Sequence, residues 1–415
     1  MENTACIKKI YLVGGAVRDS LLGIPLKDKD YVAVGFSEDD FKHLKRVGKS
    51  FPVFLQKNGT QIALARSEKK TAPGYNGFIV EVDKVTLEDD LRRRDLTINA
   101  IAYDEDNKSY IDPFGGINDL KNKILRHVST AFSEDPLRVL RVARFRARLG
   151  VEWKIYAETK VLIYNMKDEL ESLEKNRVFK EVESAFLQNN SQLFFETLFE
   201  LGILKFIFPQ IYQLTTLKEG NLHHLEASVF AHTMEVLKYT NYFFTKLPKE
   251  CKSTKNSLIL QFAALYHDIA KPHCYREFGN SNGHDNAKIV ESFLDITLPH
   301  YIKKPMLLLI SNHIRIAKLK EMKASKVLQF LDSFKGNLEL FYLQITLFLA
   351  DKKGRISYVE SKVDFSDFTP YINAFIAIKN LSIKKWCEEK KPSVEQIKGY
   401  LLKQKLEILK NALKT

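Results

Sequence analysis

Up to about residue 125 the apolar positions come in short runs cut by Gly, Pro and Asp. Beyond about Asp135 they recur with a helical period. The short runs Tyr11–Val13, Tyr31–Val34, Gln61–Ala65, Phe78–Val82 and Ile98–Tyr103 are β-rich and bounded by turn residues, which predicts strands. Helical patterns at Ala16–Leu22 and Asp39–Lys45 lie between them, so this part reads as a compact α/β unit with a mixed sheet. Leu137, Leu140, Val142 and Phe145 open a long all-α remainder. Prolines at 209, 272, 299 and 305 are expected to break it into helices of ordinary length. Pro392-Ser393 followed by Glu395 reads as the start of a final amphipathic helix.

Composition narrows the class. The 415 residues allow about two to four domains, and a hydrophobic share of 45% can fill their cores. No apolar run reaches 18 residues, and Leu258–Leu265 and Leu338–Ala350 read as buried helices. The start, MENTACIKKI, lacks the layout of a signal peptide, so a soluble, cytoplasmic protein is expected. Cys6, Cys251, Cys274 and Cys387 show no CxxC pairing, which argues against a disulfide framework or a cysteine zinc site. The 64 basic against 51 acidic side chains leave +13, which favours polyanions: nucleic acid first, anionic nucleotides second, membrane surface third. The last forty residues are lysine-rich, from Lys379 to Lys414.

Two stretches raise the question of chemistry. "KDKDYVAVG" places Asp28 and Asp30 two apart ahead of an apolar run, hence on one face of a strand. The two carboxylates repel unless a cation lies between them. Upstream, "YLVGGAVRDSLLG" reads as strand, Gly14-Gly15, then a helix carrying Arg18 and Asp19. Glycines at such a turn let a phosphate approach the backbone. The spacing is neither a Walker loop nor GxGxxG. Alone, each feature is usually a plain turn or an exposed strand end.

Joined in order, they resemble the nucleotidyltransferase fold of DNA polymerase β and its relatives. "LEDDLRRRDLTINA" (87–100) and "EDPLRVLRVARFRARLG" (134–150) resemble motifs of class II tRNA nucleotidyltransferases, the bacterial CCA-adding enzymes and their poly(A) polymerase relatives. Together the likeness spans about the first 150 residues. It implies that Asp28 and Asp30 are the catalytic carboxylates and hold Mg²⁺, a hard cation suited to oxygen ligands. It also implies that Gly15, Arg18, Arg94, Arg141 and Arg144 bind the nucleotide, with Asp95 and Asn99 structuring the site ahead of and within a strand Leu96–Ala100. Arg92 and Arg93 read equally well as a solvated basic face.

Asp135 and Arg138 are three apart, which predicts one helix face. Asp accepts hydrogen bonds and Arg donates them. Cytosine and adenine each offer an amino donor beside a ring-nitrogen acceptor, so this pair matches C or A and mismatches G or U. That agrees with the family's use of amino acids as the template for CTP and ATP. "RSEKKTAPGYNGF" (66–78) reads as a long hairpin loop; in the family a flexible loop here serves the switch from C to A addition. Gln61 stands where many class II members carry a Glu, leaving a third catalytic carboxylate in question.

The helical half holds "FAHTMEV" with His232, "LYHDIAK" with His267-Asp268, "NGHDNA" with His284, "SNHIRI" with His313 and "FLADKKGR" with Asp351. A His-Asp pair inside an apolar helix needs a partner, because burying a lone charge is costly. The order H…HD…H…H…D resembles the HD phosphohydrolase superfamily. The resemblance implies a divalent metal on His232, His267, Asp268 and Asp351, with His284 and His313 assisting. Imidazole ligands suit a transition metal such as Ni²⁺ or Mn²⁺ better than Mg²⁺.

The expected fold class is α+β: a polymerase-β-like nucleotidyltransferase head at 1–130, then an all-α part. The latter is expected to comprise a neck and body at 131–215, an HD domain at 216–355 and a basic tail at 356–415. The expected function is template-independent addition of C, C and A to tRNA 3′ ends from CTP and ATP. Phosphatase, 2′,3′-cyclic phosphodiesterase and 2′-nucleotidase activities are implied for the HD domain. The alternatives are a poly(A) polymerase, an HD phosphohydrolase whose head docks tRNA, and a non-enzymatic tRNA chaperone. Expected partners are tRNA, ATP and CTP with no membrane; a monomer is expected, a homodimer being left open.

Overall fold

The computed structural model describes residues 8–26, 29–47, 52–70, 78–81, 85–218, 227–355 and 363–414. Asp28 and the loop tip 71–77 therefore lie outside the described residues. The chain forms two compact units, Met1–Leu173 with Leu201–Ile203, and Glu174–Glu200 with Leu204–Thr415.

The first unit is built on a seven-stranded sheet. In chain order its elements are β1 (Lys9–Val13), α1 (Gly15–Leu21), β2 (Asp30–Val34), β3 (Lys45–Val47), β4 (Val53–Leu55) and β5 (Gln61–Leu64). A separate ribbon, β6 (Ser67–Lys70) and β7 (Phe78–Glu81), is followed by α2 (Leu87–Arg92), β8 (Ala102–Asp104) and β9 (Ser109–Ile111). The strand order is β3-β4-β5-β2-β1-β8-β9, with β2 and β5 parallel and the other pairs antiparallel. Alternation sends the two sets of strand residues into two cores. Val13, Val32 and Ala102 pack with Leu91 of α2 on one face; Ala33, Ile62, Leu64, Phe54 and Phe41 pack on the other.

Three local expectations are corrected. Asp39–Lys45 is no helix: a 3-10 turn at Glu38–Phe41 is closed by a Ser37–Asp40 capping box, and β3 follows at once. Only Phe41 of that turn is buried, so there was no apolar stripe to extend it. Leu96–Ala100 is no strand, because Asp95 and Asn99 bond to each other and to local backbone, and Thr97–Asn99 forms a 3-10 turn before β8. Pro305 sits inside the helix His300–Asn312 rather than ending it.

After α3 (Gly116–Asn122) and β10 (Ile124–Leu125), the helix α4 (Leu137–Leu149) buries Leu137, Leu140, Val142 and Phe145, the positions its periodicity marked. The first unit also contains β11 (Lys154–Ile155), parallel to β10. In the second unit the helix Thr254–Tyr266 is buried without a break from Leu258 to Tyr266, as an all-apolar helix must be. It packs on His300–Asn312, and Val229–Phe244 packs on Leu338–Gly354. Ser393 caps the last helix, Val394–Ala412, with Gln396 closing the capping box. Cys251, Cys274 and Cys387 are free thiols, and no helix among the described residues is long and apolar enough to cross a membrane.

Candidate functional site

In the sheet unit the turn after β1 positions the first cluster. Gly14 has φ of 68°, and a Cβ there would lie 2.8 Å from Nη1 of Arg94, so the glycine lets that guanidinium cover the turn. Gly15 opens α1. Asp30 begins β2, exposed, in register with Val13 on one side and Gln61 on the other. In-register side chains share a face, so Asp30 stands on the Val32 face with a neutral amide beside it on β5.

The arginines are held by a buried network. Arg94 pairs with Asp90 at 3.0 Å and donates to the Asn99 carbonyl at 3.3 Å. Asp90 also holds Arg93 at 2.9 Å. Burial pushes the Asp90 carboxyl upward, but Arg94 and Arg93 outweigh this and hold it below its ordinary value. Arg18 is 3% exposed and donates to Asn99 Oδ1 at 2.5 Å and to Asp19 at 2.8 Å. The other Asp19 oxygen meets Arg148 of α4 at 2.7 Å. Asp95 takes hydrogen bonds from Leu96 N and Asn99 at 2.8 Å each and from Arg141 at 2.6 Å. Burial acts against its charge, yet these partners keep it well below the usual carboxylate range. Three guanidinium groups surround one ring: Arg18, Arg144 and Arg141 lie 5.1, 5.0 and 5.9 Å from the centroid of Phe145.

Asp135 and Arg138 are arranged differently from expectation. Asp135 precedes α4 in extended backbone, and its carboxylate accepts from Leu137 N at 3.1 Å. It shares no helix face with Arg138; the helix entry brings the two together. Arg138 donates to the carbonyls of Ala131 and Arg93, both at 2.7 Å, which fixes its plane. Asp90 and Arg148 were not singled out from sequence, and Asp19 and Phe145 were read only as helix positions without a role in the site. Their only signals were acidic spacing within the arginine-rich motifs and an aromatic on the arginine stripe.

The second unit gathers all six HD-type side chains. His232 lies in the first turn of Val229–Phe244, His267 caps Thr254–Tyr266 with Asp268 next to it, and His313 caps His300–Asn312. Asp351 sits in the last turn of Leu338–Gly354. His267, His284 and His313 each direct Nδ1 to the carbonyl three residues back, at 2.7, 2.5 and 2.6 Å. A carbonyl only accepts, so Nδ1 carries the proton and Nε2 offers its lone pair. Nε2 of His267 is buried with no hydrogen-bond partner, and Nε2 atoms of His284 and His313 face each other at 3.3 Å. Converging lone pairs of this kind call for a cation.

The ligand atoms fall into two groups, His232–His267–Asp351 and Asp268–His284–His313. Asp268 Oδ2 lies 3.2 Å from His267, and Oδ1 lies 3.2 Å from His284. His284 thus stands as close to a carboxylate as His267 does, and His313 lies 4.0 Å from Asp268. Burial opposes charge on Asp268 and Asp351, but His267 and Lys271 on one, and Arg355 and His232 on the other, hold both well below the ordinary range. Burial and the neighbouring His267 push His313 down to about 4. Four imidazoles and two carboxylates are a donor set that fits a divalent transition metal.

Comparison with known proteins follows the same division. Residues 10–126 match the family model of the Poly A polymerase head domain, and 153–214 match the probable RNA and SrmB-binding site of polymerase A. Residues 229–335 match the HD domain. Fold and sites define a nucleotidyltransferase head joined to a helical part with an HD domain. The chain is 41% identical over 394 residues to the multifunctional CCA protein of Haemophilus influenzae (strain PittGG), covering 90% of each. It is 40% identical over 371 residues to that of Pasteurella multocida (strain Pm70), covering 86% of each. It belongs to the multifunctional CCA protein family. Among solved structures, a CCA-adding enzyme in apo form II shares the fold with a TM-score of 0.66 and 23% identity, over 98% of this chain and 92% of that one. The Thermotoga maritima CCA-adding enzyme complexed with tRNA-CCA does so with a TM-score of 0.63 and 22% identity, over 98% and 91%.

Proposed function

We propose that this chain adds C, C and A to the 3′ end of tRNA from CTP and ATP, releasing pyrophosphate, and that its HD site hydrolyses phosphoesters. The observation that carries the first part is the Gly14 turn covered by Arg94, with Asp30 on the adjoining strand and Arg18, Arg141 and Arg144 around Phe145. Such a cation-rich cluster next to a carboxylate suits a nucleoside triphosphate. Asp28 and Asp30 would hold Mg²⁺, which would supply Lewis acidity at the transferring phosphate. Gly15, Arg18, Arg94, Arg141 and Arg144 bind the triphosphate and ribose, and Asp135 with Arg138 selects C and A by acceptor and donor. Gln61, beside Asp30, leaves the carboxylate work to the two aspartates.

In the HD site His232, His267, Asp268 and Asp351, with His284 and His313 assisting, would hold a transition metal, Ni²⁺ or Mn²⁺. Such a metal would supply Lewis acidity toward the phosphoester of a phosphate monoester, a 2′,3′-cyclic phosphate or a 2′-nucleotide. The same reading divides the chain into a head (1–130), neck and body (131–215), HD domain (216–355) and a basic tail (356–415) that binds tRNA phosphates. That binding weakens as salt rises. The protein is cytoplasmic and monomeric in this reading.

The test is extension of a tRNA that lacks its terminal CCA. CTP alone should add two residues, ATP alone none, and both together three. A long A tract would make the protein a poly(A) polymerase, and tRNA binding without extension would make the head a docking module.

A further inference from the structure

The second unit holds a cavity of about 970 Å³ that none of the six HD-type side chains lines. Its walls come from the first turn of Thr254–Tyr266, from His300–Asn312 and from the start of Leu338–Gly354. Lys255 stands twelve positions before His267, about 18 Å of helix. Along His300–Asn312 the lining includes Tyr301, Lys304, Leu308 and Ser311, whose spacing is one helix face. The cavity is therefore a feature apart from the HD ligands.

Its acids are engaged and three of its lysines are not. Buried Asn256 donates to the Cys251 carbonyl at 3.0 Å and to Glu339 at 2.8 Å, tying two of the helices together at the wall. Lys303 takes Glu291 at 2.6 Å. Lys255, Lys304 and Lys335 line the same cavity with no ion-pair partner among the described residues. Lys335 stands on a fixed turn, with φ of 50° followed by 71° at Gly336, a pair of left-handed residues that ordinarily begins with Gly or Asn. Buried Ile259 and Phe334 give an apolar floor, and Tyr301, 49% exposed, gives an aromatic rim. Beyond Lys335, two smaller cavities bring in Glu250 and Asp332 beside Lys379 and Lys405, so the surplus of positive charge is confined.

We propose that this cavity binds a nucleoside di- or triphosphate, with its base on Tyr301 and the apolar floor and its phosphates on Lys255, Lys304 and Lys335. An apolar pocket of this size with a few charged groups suits a compact ligand that is apolar at one end and polyanionic at the other. Aromatic faces accept any base, and three ammonium groups complement the charge of a polyphosphate chain. Confinement of the positive charge favours such a ligand over a long RNA strand. The site is independent of both candidate catalytic centres.

The experiment acetylates the amines of the full chain under limiting reagent and reads each lysine by peptide mass spectrometry, with β,γ-methylene ATP or with tRNA present. The nucleotide should slow modification of Lys255, Lys304 and Lys335 several-fold and leave Lys385 and Lys398 of the tail unchanged. Equilibrium dialysis of the same analogue then compares wild type with the triple variant Lys255→Gln, Lys304→Gln, Lys335→Asn. Asparagine suits the left-handed backbone, and all three side chains are exposed, so the variant keeps the fold. It should bind one equivalent fewer, or bind that equivalent roughly ten- to a hundred-fold more weakly, the worth of a charge-assisted hydrogen bond. Protection by tRNA alone overturns the proposal and gives these lysines to RNA phosphates. Equal protection of every lysine, or unchanged binding by the triple variant, overturns it as well.

Discussion

The two candidate sites solve the problem of holding carboxylates in opposite ways. Asp30 is exposed at a strand end, and the protein surrounds its neighbourhood with arginines that are already paired to buried acids. Asp268 and Asp351 are 2% and 3% exposed and sit among histidines whose tautomers backbone carbonyls have set. In the proposed reading, the head site would be completed by what the nucleotide brings, triphosphate and Mg²⁺ together. The HD site gathers its candidate ligand atoms into two close groups of buried side chains. In that reading one depends on electrostatic attraction of a polyanion, the other on ligand type and geometry.

Metal dependence should expose this contrast most strongly. After exhaustive chelation both activities should vanish; Mg²⁺ alone should restore tRNA extension, whereas phosphate release should require Ni²⁺ or Mn²⁺. Restoration of both by Mg²⁺ alone would erase the distinction. Next in size is the buried support of the head. Arg141→Met leaves the Asp95 carboxylate without its ion-pair partner, and Asp95 is 6% exposed. The cost should be about 3 kcal/mol, the low end for stranding a buried charge because Arg141 is itself partly exposed. A thermal unfolding profile that does not move would show that Asp95 finds other compensation.

The second unit has a pH-sensitive contact away from its metal ligands. Asp295 accepts from the backbone N–H groups of Gln210 and Ile211 at 3.1 Å each, yet burial raises its carboxyl to about 6. The folded state then binds a proton that the unfolded chain has released, so stability falls as pH rises from the ordinary carboxylate value to about 6. Asp295→Asn should flatten the melting temperature over that window, and an unaltered slope would contradict the assignment. The smallest effect is expected from Gln61→Glu. A third carboxylate in register with Asp30 should lower the Mg²⁺ needed for half-maximal extension a few-fold, and no change would mean that β5 does not face the metal.

What could be read from the residues followed from local pattern. The strands β1, β2 and β5, the start of α4 and the last helix came from alternation, helical period and capping residues. The motifs with arginine, and the H…HD…H…H…D order, marked both sites before any fold was known. The buried network was not legible, because Asp19 meets Arg148 across 129 positions and Arg141 meets Asp95 across 46. Pairings at such separations leave no periodic trace. The Leu96–Ala100 segment misled for a related reason: Asp95 and Asn99 spend their hydrogen bonds locally and break an otherwise strand-like run. The grouping of His284 and His313 with one oxygen of Asp268 was equally hidden, since spacing names ligands without saying which atoms they share.

The central claim is that one chain carries two chemistries with separate residues, and a single paired assay tests it. Extension of CCA-less tRNA and phosphate release are measured on the same preparations of wild type, Asp30→Ala and His267→Ala. Asp30→Ala should lose extension by roughly three orders of magnitude, several kcal/mol of transition-state stabilisation, and keep phosphate release. His267→Ala should do the reverse. Extension that survives Asp30→Ala, or either folded variant losing both activities, would contradict the account.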